Sequence, residues 1–208
     1  MSVCAAWGKS GISRFEDLYV RPVFVGGTGA GADTDLFPKV MNNILGTTMR
    51  LVTGYPGGND ITLAMQRGGR GALRLVLVER QDQSSAMVKD GTIKLLVQLS
   101  LEKHADLPDV PLIIDFFKTP EQRAILRLVF ARQVMGRPFL APPGVPAERL
   151  AVLRRAFMET MKDPAFLAEA EKIKLEITPV DGEAVQRLVA EIYATPREIV
   201  RQAAQAVR

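Results

Sequence analysis

Short apolar runs that end in glycine-rich turns, each followed by an amphipathic run, set the pattern of the first third of this chain. Val23-Phe24-Val25 runs into Gly26-Gly27-Thr28-Gly29-Ala30-Gly31, and apolar positions then recur at Leu36, Val40, Met41, Ile44 and Leu45. The pattern predicts strand, glycine loop and helix. The helix is expected from about Asp35 to Leu45, stopped by Gly46, with Pro38 tolerated only in its first turn. Met49 to Thr53 reads as a second strand, and Gly54-Tyr55-Pro56-Gly57-Gly58-Asn59 as a second turn-rich loop, with Asn59 capping a helix from Asp60 to Gln66. Two successive strand–loop–helix units imply parallel strands and an α/β sheet. Both loops then sit at the carboxyl edge of that sheet, where ligands bind in open α/β folds.

The rest of the chain yields further elements. Ser13 is expected to cap a short helix through Leu18, and Ile93 to Leu99 reads as a buried strand. Leu107-Pro108-Asp109-Val110-Pro111 is a connector. Thr119-Pro120-Glu121-Gln122 combines a Thr cap, Pro at the first helical position and Gln three residues on, and opens a helix to about Arg132. Arg137 to Ala141 reads as a short strand. Pro142 to Pro146 is a rigid turn before a long helix from Ala147 to Met161. Asp163-Pro164 starts another helix, Leu175-Glu176-Ile177 reads as a last strand, and Asp181 to Val207 is helical with a break at Thr195-Pro196. The shift from strand-rich to helix-rich sequence near 110–137 marks the candidate boundary between two lobes, 1–115 and 116–208.

The glycine loop is the candidate for chemistry. Glycines let backbone N–H groups turn inward at a helix N-terminus, where the dipole adds positive potential, and such a loop suits an anion. A carboxylate held at Gly27, Thr28, Gly29, Ala30 and Gly31 is the expected ligand; an ordinary tight turn is the alternative. Asp33 is read as a cap of the following helix and Asp35 as a first-turn residue favoured by the dipole. Tyr55 either lines the cleft or packs at its loop. Trp7 is expected packed in the core or left half exposed by truncation.

At 208 residues, 47% hydrophobic and 24% charged, the chain can bury a real core. The net charge of +4 is dispersed, without a basic stripe, so nucleic acid is a weak candidate partner. A single cysteine, Cys4, excludes an intramolecular disulfide and any cysteine-based metal cluster. A single histidine, His104, in a polar stretch after a strand, leaves no zinc cluster and little scope for a Ser-His-Asp triad. No metal and no cofactor is expected. No apolar run approaches the length of a membrane span, and the first residues do not read as a signal peptide.

Four pieces, in order and at matching spacing, carry a family resemblance: Gly27-Thr28-Gly29-Ala30-Gly31, Gly54-Tyr55-Pro56-Gly57-Gly58-Asn59-Asp60, Leu107-Pro108-Asp109-Val110-Pro111 and Leu140-Ala141-Pro142-Pro143-Gly144-Val145-Pro146. Together they resemble the substrate-binding receptors of tripartite tricarboxylate transporters, the Bug-type proteins, over nearly the whole chain. The resemblance implies an α/β, periplasmic-binding-protein-like (type II) fold whose two lobes close on a carboxylate gripped largely by backbone N–H groups and waters. It also implies a periplasmic location and membrane transporter subunits as partners. The glycine loop corresponds to the family's second-lobe ligand loop.

The chain departs from the family pattern in two places. The signal peptide and the first part of lobe one, with its ligand loop, have no counterpart, so a truncated receptor is expected, with each lost charge-assisted hydrogen bond worth roughly 1.5–3 kcal/mol. The remaining part of lobe one would expose apolar surface open to self-association. Residues 69–81 also lack the family's acidic turn and Gly-Trp-Ser-Trp-Ser-Ser segment. A one-base shift of GC-rich codons can restore it, which suggests a local frameshift; a divergent strand alternating around Leu73, Leu75 and Leu77 is the alternative.

The leading expectation is therefore a carboxylate-binding receptor, not an enzyme. One alternative is a nucleotide-binding α/β enzyme. Against it, the loop lacks a Gly-Lys-Ser/Thr ending, and Thr53-Gly54-Tyr55 stands where a dinucleotide site wants an acidic residue. The other alternative is an inert remnant with no ligand.

Overall fold

The computed structural model describes residues 2–67, 75–79, 86–173, 175 and 177–208. The chain divides into two compact units, one made of Met1–Phe130 with Pro196–Arg208 and the other of Ala131–Thr195.

The first unit is built on a mixed sheet of β1 (Ser2–Trp7), β2 (Val23–Gly26), β3 (Met49–Val52), β4 (Leu75–Glu79) and β5 (Ile93–Leu99), in the order β3-β2-β4-β1-β5. The expected parallel pair is present: Val23 lies opposite Met49 and Val25 opposite Leu51. β2 is also parallel to β4, whereas β1 runs antiparallel to β4 and β5. β1 is an addition to the elements read from the pattern. Its side chains alternate between two cores, Cys4 and Ala6 in one and Val3 and Ala5 in the other. With both faces buried, no polar alternation betrays it.

The larger core joins Cys4, Ala6, Val23 and Val25 to Phe37 and Val40 of α2 (Asp33–Val40), Ile125, Leu126 and Phe130 of α5 (Pro120–Met135), and Ala203 and Ala206 of α9 (Arg197–Ala206). The Phe37 and Phe130 rings stack with centroids 4.2 Å apart. The smaller core sets Val3, Ala5 and Ile93 against Ile61 and Met65 of α3 (Gly58–Arg67), with Trp7 packed at its margin. Each large apolar side chain buried this way contributes about 1.5–3 kcal/mol.

Several helix boundaries differ from expectation. In α1 (Asp17–Val20) the cap position is Glu16, with no side-chain cap bond, and Ser13 instead donates its N–H to the carboxylate of Asp17, the first helical residue, at 2.8 Å, as Arg14 does at 3.3 Å. α2 starts at Asp33, which puts Pro38 in its second turn. Proline offers no N–H, and the helix widens just after it into a π turn over Met41–Leu45, where the Met41 N–H reaches both Phe37 and Pro38 carbonyls. Gly46, at φ +79°, ends the helix as expected. α3 starts at Gly58, because the Ile61 N–H already bonds the Gly57 carbonyl at 3.3 Å; Asn59 is thus inside the first turn and not its cap. A short helix, α4 (Ala86–Lys89), precedes β5. Of residues 69–81, Leu75–Glu79 form β4 and the others lie outside the described residues. A strand there agrees with either reading of that stretch.

Buried Gln98 of β5 holds the 104–111 connector in place. Its Nε2 donates to the carbonyls of Leu107 (3.0 Å) and Val110 (2.8 Å), and its Oε1 accepts the His104 N–H (2.8 Å). At Thr119 both halves of the expected capping box form: Thr119 Oγ1 accepts the Gln122 N–H and Gln122 Oε1 accepts the Thr119 N–H.

The second unit contains α6 (Ala147–Thr160), α7 (Pro164–Lys172) and α8 (Gly182–Tyr193). Asp163 and Asp181 cap α7 and α8. The strand expected at Arg137 to Ala141 is not formed: Phe139 and Leu140 are 85% and 86% exposed with no strand beside them, and Phe139 instead leans on the Phe157 ring. Leu175 and Ile177 are likewise outside any strand, and Glu176 lies outside the described residues. α6 and α8 bury no side chain fully, leaving Val152, Leu153 and Tyr193 exposed. Among the described residues no helix is long and apolar enough to cross a membrane.

Candidate functional site

The β2–α2 loop and the loop after β3 emerge side by side because β2 and β3 are parallel neighbours. They are stitched together through backbone and side chains. The Gly27 N–H donates to the Val52 carbonyl at 2.9 Å, and the Tyr55 N–H donates to the Gly27 carbonyl at 3.1 Å. The Thr28 N–H donates to Thr34 Oγ1 at 3.0 Å, and the two threonine hydroxyls are 3.0 Å apart. The Gly29 N–H donates to Asp35 Oδ1 at 3.0 Å, and the Thr53 hydroxyl donates to Asp35 Oδ2 at 2.6 Å.

Asp35 is 2% exposed, and it is the residue the sequence reading undervalued. As a first-turn residue it was expected to serve the helix dipole. In the structure its carboxylate faces back under the loop and bridges both loops. Space fits this arrangement: a Cβ on Gly27 would stand 2.1 Å from Asp35 Oδ1, so any side chain there must displace the carboxylate. Gly26 is held to glycine by Ile61, whose Cγ2 would lie 2.4 Å from a Cβ.

The expected site residues fall into two groups. Gly27 is buried, Thr28 and Gly29 are half-buried, and all three N–H groups point to acceptors within the chain. Ala30 and Gly31 form the exposed tip, with Gly31 at φ +87°, a conformation glycine adopts without strain. Asp33 is the first residue of α2 rather than its cap; the cap position is Ala32, which has no side-chain bond to give. The reason is local: Thr34 and Asp35 turn their side chains onto the loop N–H groups, so the helix starts two residues earlier than its apolar spacing suggests. Tyr55 joins the loops through its backbone, while its half-buried ring packs against the Ile61 and Met65 core.

No nucleophile–base pair is assembled here. Among the described residues no group of three His, Cys, Asp or Glu could hold a metal ion. His104 is a loop residue whose Nδ1 accepts the Asp106 N–H at 3.1 Å. Cys4 is wholly buried, and burial alone pushes its thiol far above the usual range, which leaves it unreactive.

Comparison with known proteins yields one family and several solved structures of one fold. The model of the tripartite tricarboxylate transporter family receptor, TctC, matches residues 21–204. No curated protein matches. Among solved structures, a TctC solute-binding protein from Polaromonas, without ligand, superposes with a TM-score of 0.68 at 14% identity. A protein of R. palustris with adipate gives 0.62 at 16% identity, and the periplasmic binding protein BugD gives 0.58 at 15%. These matches cover 97%, 98% and 99% of this chain but 66%, 65% and 65% of the other chains, so it spans just under two thirds of their length. The mixed α/β fold is that of the periplasmic binding proteins. Members of the matched family are solute-binding receptors rather than enzymes.

Proposed function

Because the chain belongs to the tripartite tricarboxylate transporter receptor family, we propose that it is a solute-binding receptor for a small carboxylate. The observation that carries this reading is the family match across residues 21–204, which contains the whole laced loop pair. The ligand contacts centre on the exposed tip, Ala30 and Gly31, and on the Thr28 hydroxyl. Gly27 and Gly29 frame the tip, and Asp33 and Tyr55 flank it. A site after parallel strands and before a helix N-terminus is where an α/β sheet binds ligands. Adipate, the molecule with the R. palustris relative, is a suitable first probe.

The same reading assigns a place outside the cytoplasmic membrane and transporter subunits in the membrane as partners. It also keeps self-association through the exposed apolar side chains of Ala131–Thr195 as a property to be measured by light scattering.

The test is thermal unfolding with adipate and citrate against NAD and ATP. Ligand-linked stabilisation follows concentration over dissociation constant, about 2.7 kcal/mol at a hundredfold excess over Kd. A melting temperature that climbs with either carboxylate and not with the nucleotides is the expected outcome. A rise with NAD or ATP alone, or with none of the four, would overturn the reading.

A further inference from the structure

We propose that Asp35 is a positioning residue: by bridging the two loops it holds the Gly29–Gly31 tip in place without touching the ligand. This rests on the reading of the tip as the ligand contact.

The bridge is a single carboxylate with one oxygen on each loop, Oδ1 on the Gly29 N–H at 3.0 Å and Oδ2 on the Thr53 hydroxyl at 2.6 Å. Its 2% exposure puts it beneath the loop rather than at its mouth. The Gly29 N–H is tied down by this carboxylate, and the exposed pair Ala30–Gly31 follows at once. The loop needs such an anchor. Gly26, Gly27, Gly29 and Gly31 give it unusual backbone freedom, and fixing a residue costs on the order of 1–2 kcal/mol. A loop ordered before the ligand arrives avoids that cost at binding. A glycine at 27 then has a second purpose: it leaves room for the carboxylate, since a Cβ there would stand 2.1 Å from Asp35 Oδ1.

The experiment compares D35A, D35N and T53V with Q98L, a destabilising change on the 104–111 connector, by amide hydrogen exchange at Gly29 without ligand and by adipate calorimetry. D35A is expected to speed Gly29 exchange at least tenfold and to weaken adipate about tenfold or more. D35N keeps an acceptor for Gly29 and can donate to the Thr53 hydroxyl, so it restores both within about threefold. Q98L leaves both unchanged, which separates positioning from general stability. Should D35A fail to fold, T53V, at an exposed position, carries the test through a severalfold rise in Gly29 exchange. Unchanged Gly29 exchange in D35A, or in T53V where D35A does not fold, overturns the proposal, as does wild-type adipate affinity in D35A. If the wild-type protein does not bind adipate, the receptor reading fails on its own and Gly29 exchange alone decides the role of Asp35.

Discussion

Adding one methyl group at Gly27 should cost more stability than a surface glycine substitution, and most of that cost should go when Asp35 is removed. In Gly27→Ala the new Cβ would meet Asp35 Oδ1 at 2.1 Å, Asp35 Cγ at 2.8 Å and Leu51 Cδ1 at 2.9 Å. The leucine methyl is the end of a flexible side chain and can yield. The carboxylate is held at both oxygens, by Gly29 and Thr53. If it swings aside, two charge-assisted hydrogen bonds at about 1.5–3 kcal/mol each are lost. If it stays, the backbone must shift, at an overpacking cost of about 1–3 kcal/mol. The cheaper route still leaves a loss of roughly 1–3 kcal/mol. In an Asp35→Ala background the obstacle is gone, and the same methyl should cost under about 1 kcal/mol, a coupling of more than 1 kcal/mol between the two sites. Urea unfolding followed by the fluorescence of Trp7, the one tryptophan, reads the stability of the unit that contains both residues. Equal costs of Gly27→Ala in the two backgrounds would refute the reasoning.

Other consequences are equally direct. Gln98→Leu strands two carbonyls and one N–H that the buried amide now satisfies, and should cost about 2–4 kcal/mol in the same urea assay. Cys4 should resist a thiol reagent in the native protein and react fully in denaturant, since the thiol is buried and held protonated. The N–H groups of Ala184 and then Glu183 hold the Asp181 carboxyl below its usual value, so its contribution is present above the ordinary aspartate range and is lost as pH falls through the folded value. Melting temperatures measured from pH 6 to pH 3 should therefore fall more steeply below about pH 4 in the wild type than in Asp181→Asn.

What the sequence revealed depended on how local the cause was. Ile93 to Leu99 and the Thr119–Gln122 box were legible because apolar continuity and cap chemistry act within a few residues. The parallel β2–β3 pair followed from two repeats of one motif. β1 was not legible. Cys4, Ala5 and Ala6 are small and buried on both faces, so neither alternation nor β-propensity marks them. Arg137 to Ala141 failed the other way: Phe139 and Leu140 look like a strand but have no sheet edge to join. At the candidate site the glycine loop was plain, yet the role of Asp35 was hidden, because its partners Gly29 and Thr53 lie six residues before and eighteen residues after it.

The division of the chain has a bearing on the timing of its synthesis. Met1–Phe130 and Pro196–Arg208 belong to one unit, with Ala131–Thr195 inserted between them. Ala203 and Ala206 enter the larger core, and the Asn43 side-chain amide donates to the Ala206 carbonyl at 2.9 Å. A ribosome adding about 5–20 residues per second needs several seconds to traverse the insertion before this closing helix is available. Until then the larger core lacks the side chains that Ala203 and Ala206 add to it, and a chaperone has that interval in which to engage the unfinished unit.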